Sequence, residues 1–154
     1  MKAVIQRVSQ ASVSVDGEIV GSCNKGYMIL FGACEGDNAE DLEVLARKVA
    51  SLRIFCDEND KMNLSITDIG GEVLCISQFT LCADIKKGNR PSFTGAMHPE
   101  QASEYYDRFC ELLKQNGIKR VEKGIFGADM AVSLVNDGPV TIIMDTEIWC
   151  HHER

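Results

Sequence analysis

Two short segments concentrate the polar chemistry of this chain: Ser77-Gln78-Phe79-Thr80-Leu81 and Asn136-Asp137-Gly138-Pro139-Val140-Thr141. The first places three hydrogen-bonding side chains at the end of an otherwise apolar run. Hydroxyls and an amide can hydrogen-bond a ligand, but they bring no strong base. A buried polar group without a partner costs about 1–3 kcal/mol. The cluster is therefore either a solvated sheet face or the rim of a site, and periodicity leaves both readings open. Strand alternation sends Ser77, Phe79 and Leu81 to one face and Gln78 and Thr80 to the other. The second segment reads, on its residues alone, as a tight turn at Gly138-Pro139, with glycine supplying unusual backbone angles and proline fixing its own φ. Only about 5–6% of X–Pro bonds in folded proteins are cis, so the residues by themselves favour trans.

Other chemistries find little support. The histidines are His98, before an amphipathic stretch, and the terminal pair His151-His152. A Ser-His-Asp or Cys-His mechanism would have to draw its base from one of these, which disfavours an ordinary hydrolase triad. Asp57-Glu58-Asn59-Asp60-Lys61 starts like a calcium loop but fails. Lys61 occupies a ligand position, Met62 replaces the required glycine, and Asp68 stands where a bidentate glutamate belongs; a solvated turn is expected. Trp149-Cys150-His151-His152 lacks a second ligand pair nearby. No metal and no cofactor are expected. The seven cysteines include no C-x-x-C pair, and Cys34, Cys75, Cys82 and Cys110 sit in apolar runs. Reduced thiols, buried or idle, are the expectation.

A net charge of −7 argues against sequence-independent grip on nucleic acid, which rests on neutralising phosphates. A local basic patch remains open. Lys86-Lys87-Gly88-Asn89-Arg90-Pro91 follows the first polar segment directly, and Lys119, Arg120 and Lys123 form a second cluster. Standing alone, such runs are solvated surface. Beside a site, they suit an RNA-end binder with an acidic body.

The elements that must position these residues are legible. Ala3 to Val8 alternates loosely and Ala11 to Val15 strictly, as strands do. Asp16-Gly17 suits a two-residue type I′ hairpin returning through Glu18 to Val20. Gly26 to Gly32 is a continuous apolar run, a strand buried on both faces. Asp37 to about Arg53 reads as a helix with Asp37 as cap and Glu40 three residues on, its apolar stripe being Leu42, Leu45, Ala46, Val49 and Leu52. A second helix runs from Pro99 to about Asn116, burying Ala102, Tyr105, Tyr106, Phe109, Leu112 and Leu113, and Gly117 ends it. Gly70-Gly71 turns into a strand from Glu72 to Leu81. Asp129 to Val135 and Val140 to Met144 read as two further strands joined by a tight connection. Strands grouped before, between and after two helices indicate an α+β fold. With no repeat and no linker, residues 1–154 read as one domain, with a tail from about residue 146. No apolar run approaches a membrane span, and Gln6 and Arg7 interrupt the first apolar stretch too early for a signal peptide. A cytoplasmic protein is expected.

These residues together resemble the D-aminoacyl-tRNA deacylases, hydrolases that remove D-amino acids from tRNA. The likeness runs through Gln6-Arg7-Val8, Ala11-Ser12-Val13, Gly26-Tyr27-Met28, Lys61-Met62-Asn63-Leu64, Ser77 to Leu81, Gly88 to Phe93 and Asn136 to Thr141. Ser-Gln-Phe-Thr and Asn-x-Gly-Pro-Val-Thr are that family's two signatures, and both are intact. The resemblance implies a homodimer of small β-barrel-like subunits, a mixed, largely antiparallel sheet with the two helices packed outside. It implies that Gly138-Pro139 is cis and enters the partner's site as a chiral gate, braced by Arg7. It places Ser77, Gln78, Phe79 and Thr80 at the scissile ester, with the backbone amides around Phe79 and Thr80 as oxyanion donors. Lys86, Lys87 and Arg90 are the candidates for the RNA path, and Phe126 and Met130 for the terminal adenine. L and D forms carry identical groups, so selection must be by geometry. Glycine would escape exclusion, so glycyl-tRNA mischarging would also be cleared. The family is more aliphatic where Cys34 and Cys75 stand here, a departure that bears on packing. The competing readings are an RNA-end binding dimer without catalysis and a hydrolase of free small esters; neither predicts a membrane or DNA partner.

Overall fold

The computed structural model describes residues 1–149. The two alternating segments near the start are one long strand, β1 (Lys2–Val15), and it organises the sheet. Asp16 and Gly17 both take positive φ (51° and 81°), as the type I′ hairpin requires, and the chain returns as β2 (Glu18–Cys23). β2 pairs with the second half of β1, and β3 (Gly26–Gly32) pairs antiparallel with the first half. β6 (Glu72–Ser77) then lies parallel to β3, and β7 (Val121–Lys123) parallel to β6. β8 (Ala131–Asp145) covers the other side of β1 along nearly its whole length. Between them, β4 (Phe55–Cys56) and β5 (Met62–Leu64) form a small separate hairpin. Gly21 on β2 approaches the Lys123 carbonyl of β7 so closely that no side chain would fit. The sheet therefore curls nearly closed, the barrel-like α+β form that was expected.

Alternation along β3 and β6 explains the two cores. Met28, Leu74 and Ile76 point inward with Val8, Ala11 and Val13 to fill the barrel. Tyr27, Ile29, Phe31, Val73 and Cys75 point outward against α1 (Ala39–Ser51) and α2 (Pro99–Gln115). These central strands are buried on both faces, as their unbroken apolar runs predict. Phe31 stacks on Phe109 at 4.6 Å, tying β3 to α2.

Several boundaries differ from the sequence reading. α1 is capped by Asn38, not Asp37, in a reciprocal capping box with Asp41. Asp37 is turned away instead: one carboxylate oxygen meets the Met1 ammonium at 2.8 Å and the other accepts from the Cys34 amide. The stretch read as two strands about a turn is the single strand β8. Both its halves pair with β1, so Asp137 to Pro139 leave the ladder as a bulge and the chain does not reverse. The Asp57 carboxylate accepts from the Asn59 and Lys61 amides, forming the solvated turn expected there. After β8, Thr146 is buried and Trp149 packs against the core with Lys48 over its ring. Cys150, His151 and His152 lie outside the described residues. Among those described, no helix is long and apolar enough to cross a membrane.

Candidate active site

β6 stops at Ser77 because its partner stops: the last rung is Ser77 opposite Phe31, followed by a hydrogen bond from the Gln78 amide to the Phe31 carbonyl at 2.7 Å. Beyond Gly32 there is no strand to pair with. The chain turns instead into one turn of 3₁₀ helix, Phe79–Cys82, so the expected face alternation through Leu81 does not occur. Gly32 makes room for this turn. A Cβ there would lie 2.9 Å from the Gln78 carbonyl oxygen and 3.0 Å from the Leu81 Cβ. A helical N-terminus leaves its first amides without internal acceptors, and those of Phe79 and Thr80 have no acceptor among the described residues.

The Gln78 side-chain amide donates to the Thr80 hydroxyl oxygen at 2.6 Å. That bond uses Thr80 as an acceptor and leaves its proton directed elsewhere. Among the described residues no carboxylate or imidazole hydrogen-bonds this hydroxyl. The arrangement suits a positioned donor far better than an activated nucleophile, which needs an adjacent base.

Ser77 and Phe79 form one wall of an apolar cleft of about 380 Å³. Phe93, Met97 and His98, from the approach to α2, form the opposite wall, and Phe126 closes an end. Phe79 and Phe93 meet edge to face, with centroids 5.2 Å apart, yet are 53% and 39% exposed. Phe126 is held indirectly. The buried Tyr106 hydroxyl donates to the Cys75 carbonyl and accepts from the Gly124 amide at 3.2 Å, fixing the loop that carries Phe126. Burial pushes that hydroxyl well above the ordinary tyrosine range, so it stays a donor. Met130 does not reach the cleft; it packs on the barrel core beside Gly124.

Lys86, Lys87 and Arg90 are exposed on a loop that leaves the 3₁₀ turn and returns to Phe93. Reciprocal backbone bonds between Asp84 and Ser92 close its base. Among the described residues none of these cations is ion-paired. The second basic cluster is largely neutralised, since Arg120 meets Glu72 and Glu122 and Lys123 meets Asp107.

The β8 bulge is built from both sides. Register places Gln6 opposite Thr141 and Val8 opposite Asn136, so the intervening residues stand out opposite Arg7. The Asn136 side chain clips the base: its Oδ1 accepts from the Val140 backbone amide at 3.0 Å and its Nδ2 donates to Thr141 Oγ1 at 3.1 Å. Arg7, only 9% exposed, donates from Nε to the Asp137 carbonyl at 3.0 Å and from Nη1 to the Ile54 carbonyl at 2.7 Å. Gly138 takes φ 129°, and the Gly138-Pro139 peptide is cis. A side chain at 138 would meet Arg7 Nη2 and Val140 Cγ2, each at 2.9 Å. Asp137, Gly138 and Pro139 are exposed, and neither Gly138 nor Pro139 lines the cleft of its own chain.

The cysteines depart from expectation. Cys34 and Cys82 form a disulfide, because the end of β3 and the end of the 3₁₀ turn are brought side by side, a proximity invisible in spacing. Cys23, Cys75 and Cys110 are buried free thiols, as expected, while Cys56 is exposed. Burial, with Glu72 adding to it, pushes the Cys23 thiol up to about 11. Sequence reading also passed over Met97 and His98 as lining residues, and Asn136 as a clip. Phe93 carried a signal, because it ends the Gly88 to Phe93 segment of the resemblance.

The D-Tyr-tRNA(Tyr) deacylase family model matches residues 4–145. A solved structure titled "c-Myc DNA Unwinding Element Binding Protein" is 44% identical, with a TM-score of 0.89, over 94% of this chain and 98% of that one. A probable eukaryotic D-amino acid tRNA deacylase, 17% identical, shares the fold with a TM-score of 0.78 over 93% of this chain and 97% of its own. With both signature segments meeting a structural role, the chain belongs to the D-Tyr-tRNA deacylase family, hydrolases of the aminoacyl-tRNA ester bond.

Proposed function

We propose that this protein is a chiral proofreader, hydrolysing D-aminoacyl-tRNA while sparing the L form. The supporting observation is the pair of acceptor-free amides at Phe79 and Thr80, beside an apolar cleft and without a base at Thr80. The substrate ester is already activated relative to an amide, so the chief need is to hold it and stabilise the oxyanion. The Phe79 and Thr80 amides take the oxyanion, with Gln78 and Thr80 orienting the carbonyl. Water attacks, assisted by the 2′-hydroxyl of the substrate's own ribose. The tetrahedral intermediate collapses to release the D-amino acid and tRNA.

The gate comes from a second copy. Gly138 and Pro139 stand exposed and away from their own cleft, so in a homodimer they can enter the partner's. Rigid carbonyls there occupy the space an L side chain needs, while a D side chain points outward. Glycyl-tRNA, with no side chain to exclude, is also a substrate. Phe126 meets the terminal adenine, and Lys86, Lys87 and Arg90 follow the RNA backbone, in the cytoplasm where tRNA is charged. The name of the 44% identical relative concerns a DNA element. Here the net charge of −7 and the neutralised Arg120/Lys123 cluster support a single RNA end over a duplex.

Incubating the protein with D-tyrosyl- and L-tyrosyl-tRNA tests this reading directly. Rapid release of D-tyrosine with L-tyrosyl-tRNA left intact is the expected result. Equal rates would remove the chiral reading, and binding without ester loss would leave only an RNA-end binder.

A further inference from the structure

We propose that the Cys34–Cys82 disulfide positions the Phe79 and Thr80 amides, and that ester hydrolysis therefore responds to thiol redox state. The proposal rests on the deacylase reading of that turn. Cys82 is the last residue of the 3₁₀ turn, and Cys34 lies just beyond the end of β3. Their Cα atoms are 5.8 Å apart across 48 residues of sequence. The segment around Cys34 also holds the opposite wall of the cleft: Glu35 donates to the Gly95 carbonyl at 2.8 Å, and Met97 donates to the Ala33 carbonyl at 3.1 Å. One wall thus hangs on residues 33–35 by hydrogen bonds, the other by the sulfur bridge.

The turn has few other anchors. At its start the Gln78 amide bonds to Phe31, but the bonds at its end, Leu81 to Gln78 and Ala83 to Thr80, are internal to the turn. Cleaving the disulfide removes the covalent restraint on the C-terminal end. The freed Cys82 thiol gains a proton with an acceptor at hand, the Ala33 carbonyl 3.4 Å away, and the Gln78–Phe31 bond still ties the start of the turn to β3.

Cys34 is half-buried and Cys82 buried, so a reagent meets Cys34 first. A glutathione thiolate attacks Cys34 Sγ, the S–S bond breaks, and Cys82 leaves as a thiolate that takes a proton. A second glutathione thiolate attacks the glutathione sulfur of the mixed disulfide, and Cys34 leaves and takes a proton. The products are two cysteine thiols and oxidised glutathione, with two electrons and two protons transferred. In reverse, a low-molecular-weight disulfide oxidises the pair and departs as two thiols.

The test uses the full chain carrying Cys56→Ser, which removes the thiol exposed among the described residues, and Cys150→Ser, which removes the one outside them, equilibrated in buffers of reduced and oxidised glutathione. Alkylation with mass measurement reports the disulfide, D-tyrosyl-tRNA turnover gives kcat and KM, and hydrogen exchange follows the amides of residues 78–83. Reduction is expected to lower kcat by roughly tenfold or more, with KM within about twofold, as displaced oxyanion donors would do. It is also expected to speed exchange in the turn. Cys34→Ser and Cys82→Ser should each match the reduced form and lose the redox response. Equal kcat and exchange in both states would overturn the proposal, as would a response persisting in Cys34→Ser or a disulfide that never forms in oxidised glutathione. A protein inactive in both states overturns the deacylase reading and the redox control of hydrolysis with it. The exchange contrast then still decides whether the bridge restrains the turn.

Discussion

Arg7 is a cation enclosed by carbonyls, and its planar fork reaches Asp137 and Ile54 in directions an ammonium cannot reproduce. Arg7→Lys keeps the charge but leaves at least one acceptor unmet. It is expected to destabilise the chain by about 1–3 kcal/mol, read as a shift in the urea midpoint. On the proposed function it also lowers the D:L rate ratio by loosening the gate, and an unchanged ratio in the folded variant would count against bracing. Tyr27 presents the opposite case. It lies opposite Arg7 on β3, fully buried, and its hydroxyl has no partner among the described residues. Burial pushes that hydroxyl up, only partly offset by Arg7. Its ring stacks on Phe55 at 5.3 Å whether or not the oxygen is present. Tyr27→Phe is therefore expected to be neutral or to stabilise by up to about 1 kcal/mol in urea unfolding, unlike most core substitutions.

Among the elements, the 3₁₀ turn carries the candidate site, and its place depends on the bare edge of Gly32. Gly32→Ala would press on the Gln78 carbonyl and Leu81, forcing a backbone shift that costs about 1–3 kcal/mol. The expected signature is a fall in kcat larger than the change in KM, because the added Cβ presses on the turn at Gln78 and Leu81 and not on the Phe93 and Met97 wall. Equal loss in both would indicate general unfolding of the site. The polar character of Ser77 to Thr80 was legible in the sequence, but its conformation was not. Alternation describes a strand only while a partner continues, and β3 ends at Gly32. β8 fails in the complementary direction. Glycine and proline in an apolar pattern signalled a reversal, yet β1 continues on one side and keeps both halves in one ladder.

For the molecule as a whole, the proposed function needs a charge distribution that admits one RNA end. The body is acidic, while Lys86, Lys87 and Arg90, none of them ion-paired among the described residues, stand on the loop leading from the 3₁₀ turn to the cleft. Binding of D-aminoacyl-tRNA should weaken with salt. Each phosphate contact on a single strand contributes about −0.7 to the slope of log K against log salt, so replacing Lys86, Lys87 and Arg90 by alanine should flatten it by about 2. An unchanged slope would move the RNA path to another face.

The sequence by itself determined the α+β class, the two amphipathic helices, the doubly buried central strand and the place of the two polar segments along the chain. Each is a local pattern of apolar period or of residue type, and such patterns survive in one dimension. Only the tertiary structure decided that Ser77 to Cys82 bends into a turn, that Met130 faces the barrel core, that Lys123 is neutralised and that Cys34 meets Cys82. All four depend on where a neighbouring strand ends or which distant residue arrives beside it. The burial of the whole chain sets those distances, and no local spacing contains them.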